Sequence, residues 1–272
     1  MNNDVAPQVF AILRTLIEER TGLAYAPGDD AIVHDKLKLQ AREAGFESLL
    51  DYYYFLRYDG ASDAEFSALV DALVVNETYF FRELAQLEVL VDDVLVPCVK
   101  AGRRPRVWSA ACATGEEPLT LAMLLADRGV LEQTYILATD ISARALGRAR
   151  TGEHNARALR ADSLPSIARY VDAVGKSARV DPRISSFVNW KQLNLLDAER
   201  VAELGTFDAI LCRNVLIYFA ERTIQRVVNS LMSALEPSGV LLVGISESLL
   251  RIATPLRCEE HHGVFLYRKN RP

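Results

Sequence analysis

Apolar positions recur every three or four residues through the first quarter of the chain. Val9, Phe10, Leu13, Leu16 and Ile17 form one such stripe, and Gly22 closes it. Ala31–Ala44 forms a second, closed by Gly45, and Ser48–Leu56 a third, broken by Asp59-Gly60. Ser62-Asp63-Ala64-Glu65 reads as a capping box for a fourth helix carrying Phe66, Leu69, Val70 and Leu73. A helical bundle is therefore expected over residues 1–75. Leu84, Leu87, Leu90 and Val91 keep the helical period until Pro97, which ends or kinks it. Residues 76–105 read as a linker and a connecting helix.

From residue 106 the pattern changes. Short buried runs, Val107–Ala111, Tyr135–Asp140, Phe207–Cys212 and Val240–Ile245, alternate with amphipathic stretches at Leu119–Leu125, Ala143–Arg150 and Glu221–Leu235. Strands alternating with helices imply an α/β domain with a mostly parallel sheet over 106–272. Gly263–Tyr267 reads as an antiparallel last strand, and Pro237-Ser238-Gly239 as a turn. Gly152–Asn189 breaks the alternation. It is irregular, rich in Arg, Ala and Ser, and runs into a possible strand at Ser186–Trp190. A small inserted β-subdomain is expected over 153–190.

Composition narrows the class. Of 272 residues half are hydrophobic and a quarter charged, as in an ordinary globular protein. The net charge of -5 argues against a nucleic-acid protein held by a basic surface. No apolar run has the length of a membrane span, and MNNDVAPQ does not read as a signal peptide. Cys98, Cys112, Cys212 and Cys258 are scattered, with no CxxC pair. Reduced thiols, a cytoplasmic location and no metal site are expected.

Candidate chemistry centres on VWSAACATGEEP at 107–118. A short strand breaks into the small-residue turn Cys112-Ala113-Thr114-Gly115. Two acids follow, and Pro118 fits the first turn of a helix. The turn has one glycine, no lysine and two carboxylates, so it is not a phosphate cradle. It suits a cofactor with hydroxyls, an amine and a positive centre, as in S-adenosylmethionine. Asp140, at the end of the second strand, stands where a Rossmann-like site binds ribose hydroxyls. Glu117, Asp140, Asn214 and Glu247 lie at four strand ends and are expected to converge on one crevice.

These runs resemble a known family. NETYFFRE at 76–83, VWSAACATGEEP at 107–118, ATDIS at 138–142, NLL at 194–196, FDAILCRNVLIYF at 207–219 and GISES at 244–248 occur in the order found in chemotaxis receptor methyltransferases of the CheR type. The resemblance covers nearly the whole chain. It implies an all-α N-terminal domain, then a Rossmann-like S-adenosylmethionine-dependent domain with a small inserted β-subdomain. It implies that Asn76, Thr78 and Arg82 line the cofactor pocket, that Glu117 and Asp140 are cofactor-binding acids, that Asn194 and Leu195 lie by the adenine, and that Arg213 and Asn214 lie beside the cofactor. Arg82 and Tyr218 match residues near the transferred methyl. The implied substrates are glutamate side chains in the cytoplasmic part of transmembrane chemoreceptors, and Lys36, Lys38 and Arg42 are implied to face the receptor.

Three departures from the family pattern stand out. Gln40 replaces a residue that is often basic. The stretch Asp172–Ser185 is short and has only Gly175, so no tight docking of a receptor's C-terminal pentapeptide is expected. His154 stands where an aromatic, often tyrosine, is usual, and reads as a packed or surface histidine with no assigned chemistry.

A carboxylate nucleophile is ionised at neutral pH, so such a site needs alignment rather than a strong base. Arg82 can hold a carboxylate through two hydrogen bonds, either the substrate's or the cofactor's own. Two other readings remain at this stage: a methyltransferase for another protein or small molecule, and a non-catalytic module that binds cofactor or receptor. A dinucleotide oxidoreductase is disfavoured by the missing glycine fingerprint.

Overall fold

A computed structural model describes residues 7–160 and 166–270. Parts of the expected helical domain (1–6) and of the expected insertion (161–165), and residues 271–272, lie outside the described residues. The chain divides into two compact units. One runs to Val75 and also takes Tyr218–Thr223. The other holds Asn76–Ile217 and the chain from Ile224 onward.

Among the described residues the first unit contains four α-helices: α1 (Pro7–Thr21), α2 (Asp30–Glu43), α3 (Leu49–Tyr58) and α4 (Asp63–Leu73). Their apolar stripes meet in a core that includes Leu13, Ile17, Leu37, Leu56 and Leu69. The capping box at Ser62 does not form. Ser62 Oγ donates to Leu56 O, and the Glu65 carboxylate turns into the bundle. There it accepts from Tyr52 Oη at 2.7 Å and Gln40 Nε2 at 3.0 Å. A buried phenol and amide need an acceptor more than a helix end that water can reach. Gln40 therefore belongs to the interior of the bundle. Lys38 and Arg42 share a face of α2 one turn apart. Lys36 lies across the helix, where Nζ donates to Leu73 O at the end of α4.

The second unit is built on a seven-stranded sheet. Five strands are parallel: β1 (Arg106–Ala110), β2 (Tyr135–Asp140), β6 (Val188–Gln192), β7 (Phe207–Cys212) and β8 (Leu235–Val243). β9 (Arg257–His261) and β10 (Val264–Arg268) close one edge antiparallel. The order β6-β2-β1-β7-β8-β10-β9 reverses direction at β1, and ligands of doubly wound sheets bind at such a switch point. Helices α7 (Glu116–Asp127), α8 (Ala143–Thr151) and α11 (Glu221–Ser233) link the parallel strands.

Several expected boundaries shift. Within 76–105 the chain is helical from Leu84 to Lys100. α5 (Leu84–Leu90), one π turn at Val91–Leu95 and α6 (Val96–Lys100) pack Leu87, Leu90 and Leu95 into the sheet's core. Pro97 lacks the N–H that the α-helical ladder needs, and the helix passes it by widening just before it. The inserted sheet is antiparallel, ordered β3-β5-β4, from β3 (Glu153–Asn155), β4 (Val171–Val174) and β5 (Ser177–Val180). Two short helices, α9 (Pro182–Ser185) and α10 (Ala198–Ala202), flank β6. Val188–Trp190, expected within the insertion, pair with Ile136–Ala138 of β2 and so belong to the main sheet. The turn at 237–239 is a bulge inside β8, where Ser238 adopts φ 68°.

Candidate active site at the carboxyl ends of the strands

The site is organised by one buried guanidinium. Arg213 follows β7, and its side chain is 1% exposed. Nε donates to Gln86 Oε1 at 2.9 Å and Nη1 to Glu117 Oε2 at 2.8 Å. Nη2 donates to the Arg82 carbonyl at 2.9 Å and to Glu83 Oε2 at 3.0 Å. Glu117 also accepts from Ser109 Oγ at 2.7 Å. These bonds tie the end of β7 to the start of α7 and to the 76–83 stretch. Burial alone would raise the Glu83 carboxyl's pKa, but Arg213, then Asn214, outweigh it and hold it below the usual carboxylate range.

The Glu247 carboxylate is taken up by backbone N–H groups. Its Oε2 accepts from the backbone N–H groups of Asn214 (2.6 Å) and Gly244 (2.7 Å), and its Oε1 from Leu216 (2.7 Å) and Ile217 (3.3 Å). The carboxylate satisfies a loop that has no ladder partners of its own. It thereby holds Asn214 at φ 58°, and Asn214 Nδ2 reaches Glu83 Oε1 at 3.2 Å. Gly244 makes room for this. A Cβ there would lie 2.6 Å from Asn214 Nδ2.

On the other side of β1 lies the small-residue turn. Asp140, 7% exposed, accepts from Ala113 N and Ser142 N, both at 2.8 Å. One of these bonds serves this turn and the other the start of α8. Gly115 adopts φ 94°, and a Cβ on it would lie 2.7 Å from the Trp190 ring and 2.9 Å from Ala149 Cβ. Glu116 is buried beside the turn and accepts from Thr114 Oγ1 at 2.7 Å. Burial first, then Asp140 and Glu117, push the Cys112 thiol well above its ordinary range, which makes it a poor nucleophile.

Arg82 is 28% exposed. Its Nη1 donates to Glu77 O at 3.1 Å, and its guanidinium lies 5.5 Å from the Tyr79 ring centre. Asn76 and Thr78 are half-buried on the extended stretch leading to it. Asn194 and Leu195 follow β6 in a loop bonded to the end of β2 through Leu193 N and Asp140 O at 2.9 Å. Tyr218 ends the turn Leu216–Tyr218 and belongs to the helical unit, where its carbonyl accepts from Ala24 N at 2.8 Å.

Phe81, Glu83, Ala111, Ala113 and Asn214 all have positive φ. Such backbone costs on the order of 1 kcal/mol per residue, and its clustering marks a site that the surrounding structure over-determines. Sequence reading missed Glu83, Gln86 and the role of Glu247. Gln86 carried a signal, because it is a polar residue on the stripe that buries Leu87 and Leu90.

The donor set fits S-adenosylmethionine. Glu83, Glu117 and Asp140 outnumber the buried guanidinium, and the turn has no lysine to hold a pyrophosphate. Among the described residues, no group of His, Cys, Asp and Glu could hold a metal ion, and no helix is long and apolar enough to cross a membrane.

Comparison with known proteins agrees. Residues 8–74 match the model of the CheR methyltransferase all-alpha domain, and residues 76–264 that of the CheR methyltransferase SAM binding domain. The chain is 36% identical over 252 residues to chemotaxis protein methyltransferase 2 of Vibrio cholerae, covering 90% of this chain and 87% of that one. It is 35% identical over 250 residues to chemotaxis protein methyltransferase 1 of Pseudomonas aeruginosa, covering 88% and 90%. The chemotaxis protein methyltransferase of Escherichia coli is 34% identical over 248 residues, covering 88% and 84%.

Proposed function

This chain belongs to the CheR family of S-adenosylmethionine-dependent methyltransferases, and from that premise we propose that it methylates glutamate side chains of chemoreceptors, giving glutamyl methyl esters. The observation that carries the reading is the set of acids at the strand ends, Glu83 and Glu117 on Arg213 and Asp140 across β1, beside a turn whose sequence has no lysine. It suits a cofactor with a positive centre, and the relatives' names supply the chemotaxis setting.

Bound S-adenosylmethionine supplies an electrophilic methyl group on a sulfonium. In this reading Asp140 accepts from ribose hydroxyls, with Asn194 and Leu195 beside the adenine. Asn76, Thr78, Arg213 and Asn214 line the pocket, and Glu117 accepts from the cofactor's ammonium. Arg82, half-exposed and already steered by Glu77 and Tyr79, grips a carboxylate. Tyr218 donates its O–H to the substrate oxygen. No residue needs to remove a proton, because the attacking carboxylate is already ionised. Receptor contact falls to Lys36, Lys38 and Arg42, acting in the cytoplasm. The β4–β5 hairpin turns through Gly175-Lys176 alone, which favours no tight pentapeptide docking.

The test is transfer of labelled methyl from S-adenosylmethionine to a purified chemoreceptor cytoplasmic fragment, then mild alkali. Label released as methanol is expected. Label that resists alkali would place the methyl elsewhere. Asp140→Ala is expected to weaken cofactor binding about 10- to 100-fold. Arg82→Ala and Tyr218→Phe are expected to lower kcat instead. Full turnover in both would remove their assignment.

A further inference from the structure

We infer that His154 is a positioning residue for the Cys112–Gly115 turn and acts through Glu116; this rests on reading that turn as part of the cofactor site. His154 lies on β3 of the inserted sheet and its side chain is 2% exposed. Its Nδ1 is 2.9 Å from Glu116 Oε1. The other oxygen of that carboxylate accepts from Thr114 Oγ1 at 2.7 Å. A line of three side chains thus runs from the inserted sheet to the turn. The turn is held from two directions. Trp190 and Ala149 close the space beside Gly115, and Glu116 holds Thr114 by hydrogen bond.

The imidazole is fixed as well. It packs edge-on against Phe80, with ring centres 4.8 Å apart, and Phe80 N donates to Ala158 O at 2.9 Å. Phe81 N donates to Thr120 Oγ1, which donates to the Glu116 carbonyl. The inserted sheet, the 76–83 stretch and the first turn of α7 therefore meet at this one pair.

The geometry also selects the proton's position. An ionised Glu116 offers only acceptors, so the hydrogen sits on Nδ1. The reverse arrangement, with a protonated Glu116 donating to Nδ1, would place a hydrogen on Nε2. That atom is buried and has no partner. A buried donor without an acceptor costs more than a bare lone pair. The geometry places the imidazole hydrogen on Nδ1, facing Glu116. Without it the Glu116 carboxylate loses a donor and Thr114 loses a fixed acceptor. Cofactor affinity falls, while the groups assigned to the transferred methyl stay in place.

Calorimetric titration of S-adenosylmethionine into the full chain, with steady-state kinetics, tests this. His154→Phe keeps a ring against Phe80 and removes the donor. It is expected to weaken binding roughly tenfold with kcat changed less than about twofold. His154→Asn carries an N–H near the Nδ1 position and is expected to recover most of the loss. Thr114→Val, at the far end of the line, is expected to weaken binding in the same direction. Nitrogen NMR of labelled histidine is expected to report the Nδ1–H tautomer. Unchanged affinity in His154→Phe, even with a lower melting temperature, would make His154 mere packing and overturn the inference. If that variant does not fold, unchanged affinity in Thr114→Val overturns it equally. Wild-type protein that does not bind the cofactor would instead bring down the reading of the turn, and this inference with it.

Discussion

The two sides of β1 position their residues by different means. Toward β7, order comes from charge: Arg213 is buried among Glu83, Glu117 and Gln86, with Glu247 holding the next loop by four backbone N–H groups. Toward β2 and β6, order comes largely from shape: Gly115 lets its turn lie against Trp190 and Ala149. A network of paired charges tolerates changes of volume poorly matched to it less badly than it tolerates the loss of one partner. A close-packed turn is more sensitive to added volume. The same crevice should therefore fail in two distinguishable manners.

The largest effect is expected at Arg213. Arg213→Met leaves two partly buried acids and a buried amide without their donor. A loss of about 3–5 kcal/mol is expected in urea unfolding. Adding Glu83→Gln and Glu117→Gln removes the uncompensated charge and should return part of it. A mild Arg213→Met would break the claim that charge organises this side. Next is Gly115→Ala, which adds a clash with Trp190 to the strain of a positive φ. A loss of about 2–4 kcal/mol is expected, and Trp190→Leu should relieve the clash but not the strain. Additive single and double variants would show that shape is not what holds the turn.

The smallest effect concerns acid. Glu83 is held below the usual carboxylate range in the folded state. Its stabilising contribution is fully present above its unfolded-state pKa and is lost as pH falls through the lower folded-state value. Glu83→Gln removes that dependence, so its urea midpoint should fall less than the wild type's between about pH 6 and about pH 3. Parallel curves would mean that Arg213 does not stabilise the ionised form.

The expected strands and helices, and the turn at 112–115, were legible because each is a local pattern: apolar period, a stop signal, small residues before two acids. β9 was not. Apart from Cys258 its sequence, Arg257-Cys258-Glu259-Glu260-His261, is polar, as a strand at a sheet edge often is. The capping box at Ser62 was a sound local signal that lost to a buried phenol. Glu116 and Glu117 are neighbours that look alike in sequence, yet one serves His154 and the other Arg213.

The sequence by itself determined the class of the protein. Periodicity, glycine stops and the absence of a phosphate fingerprint depend only on near neighbours along the chain, and the family runs depend only on their order. The tertiary structure decided which polar side chains face a ligand and which hold the backbone. Glu247 became a loop anchor, Gln40 an interior group and His154 a buried partner of Glu116 because desolvation and partner geometry act between residues 25 to 38 positions apart in sequence, or only three apart across a folded loop. Only folding, of the bundle in one case and of the sheet in the others, brings those pairs within hydrogen-bond distance, and only burial makes their pairing obligatory.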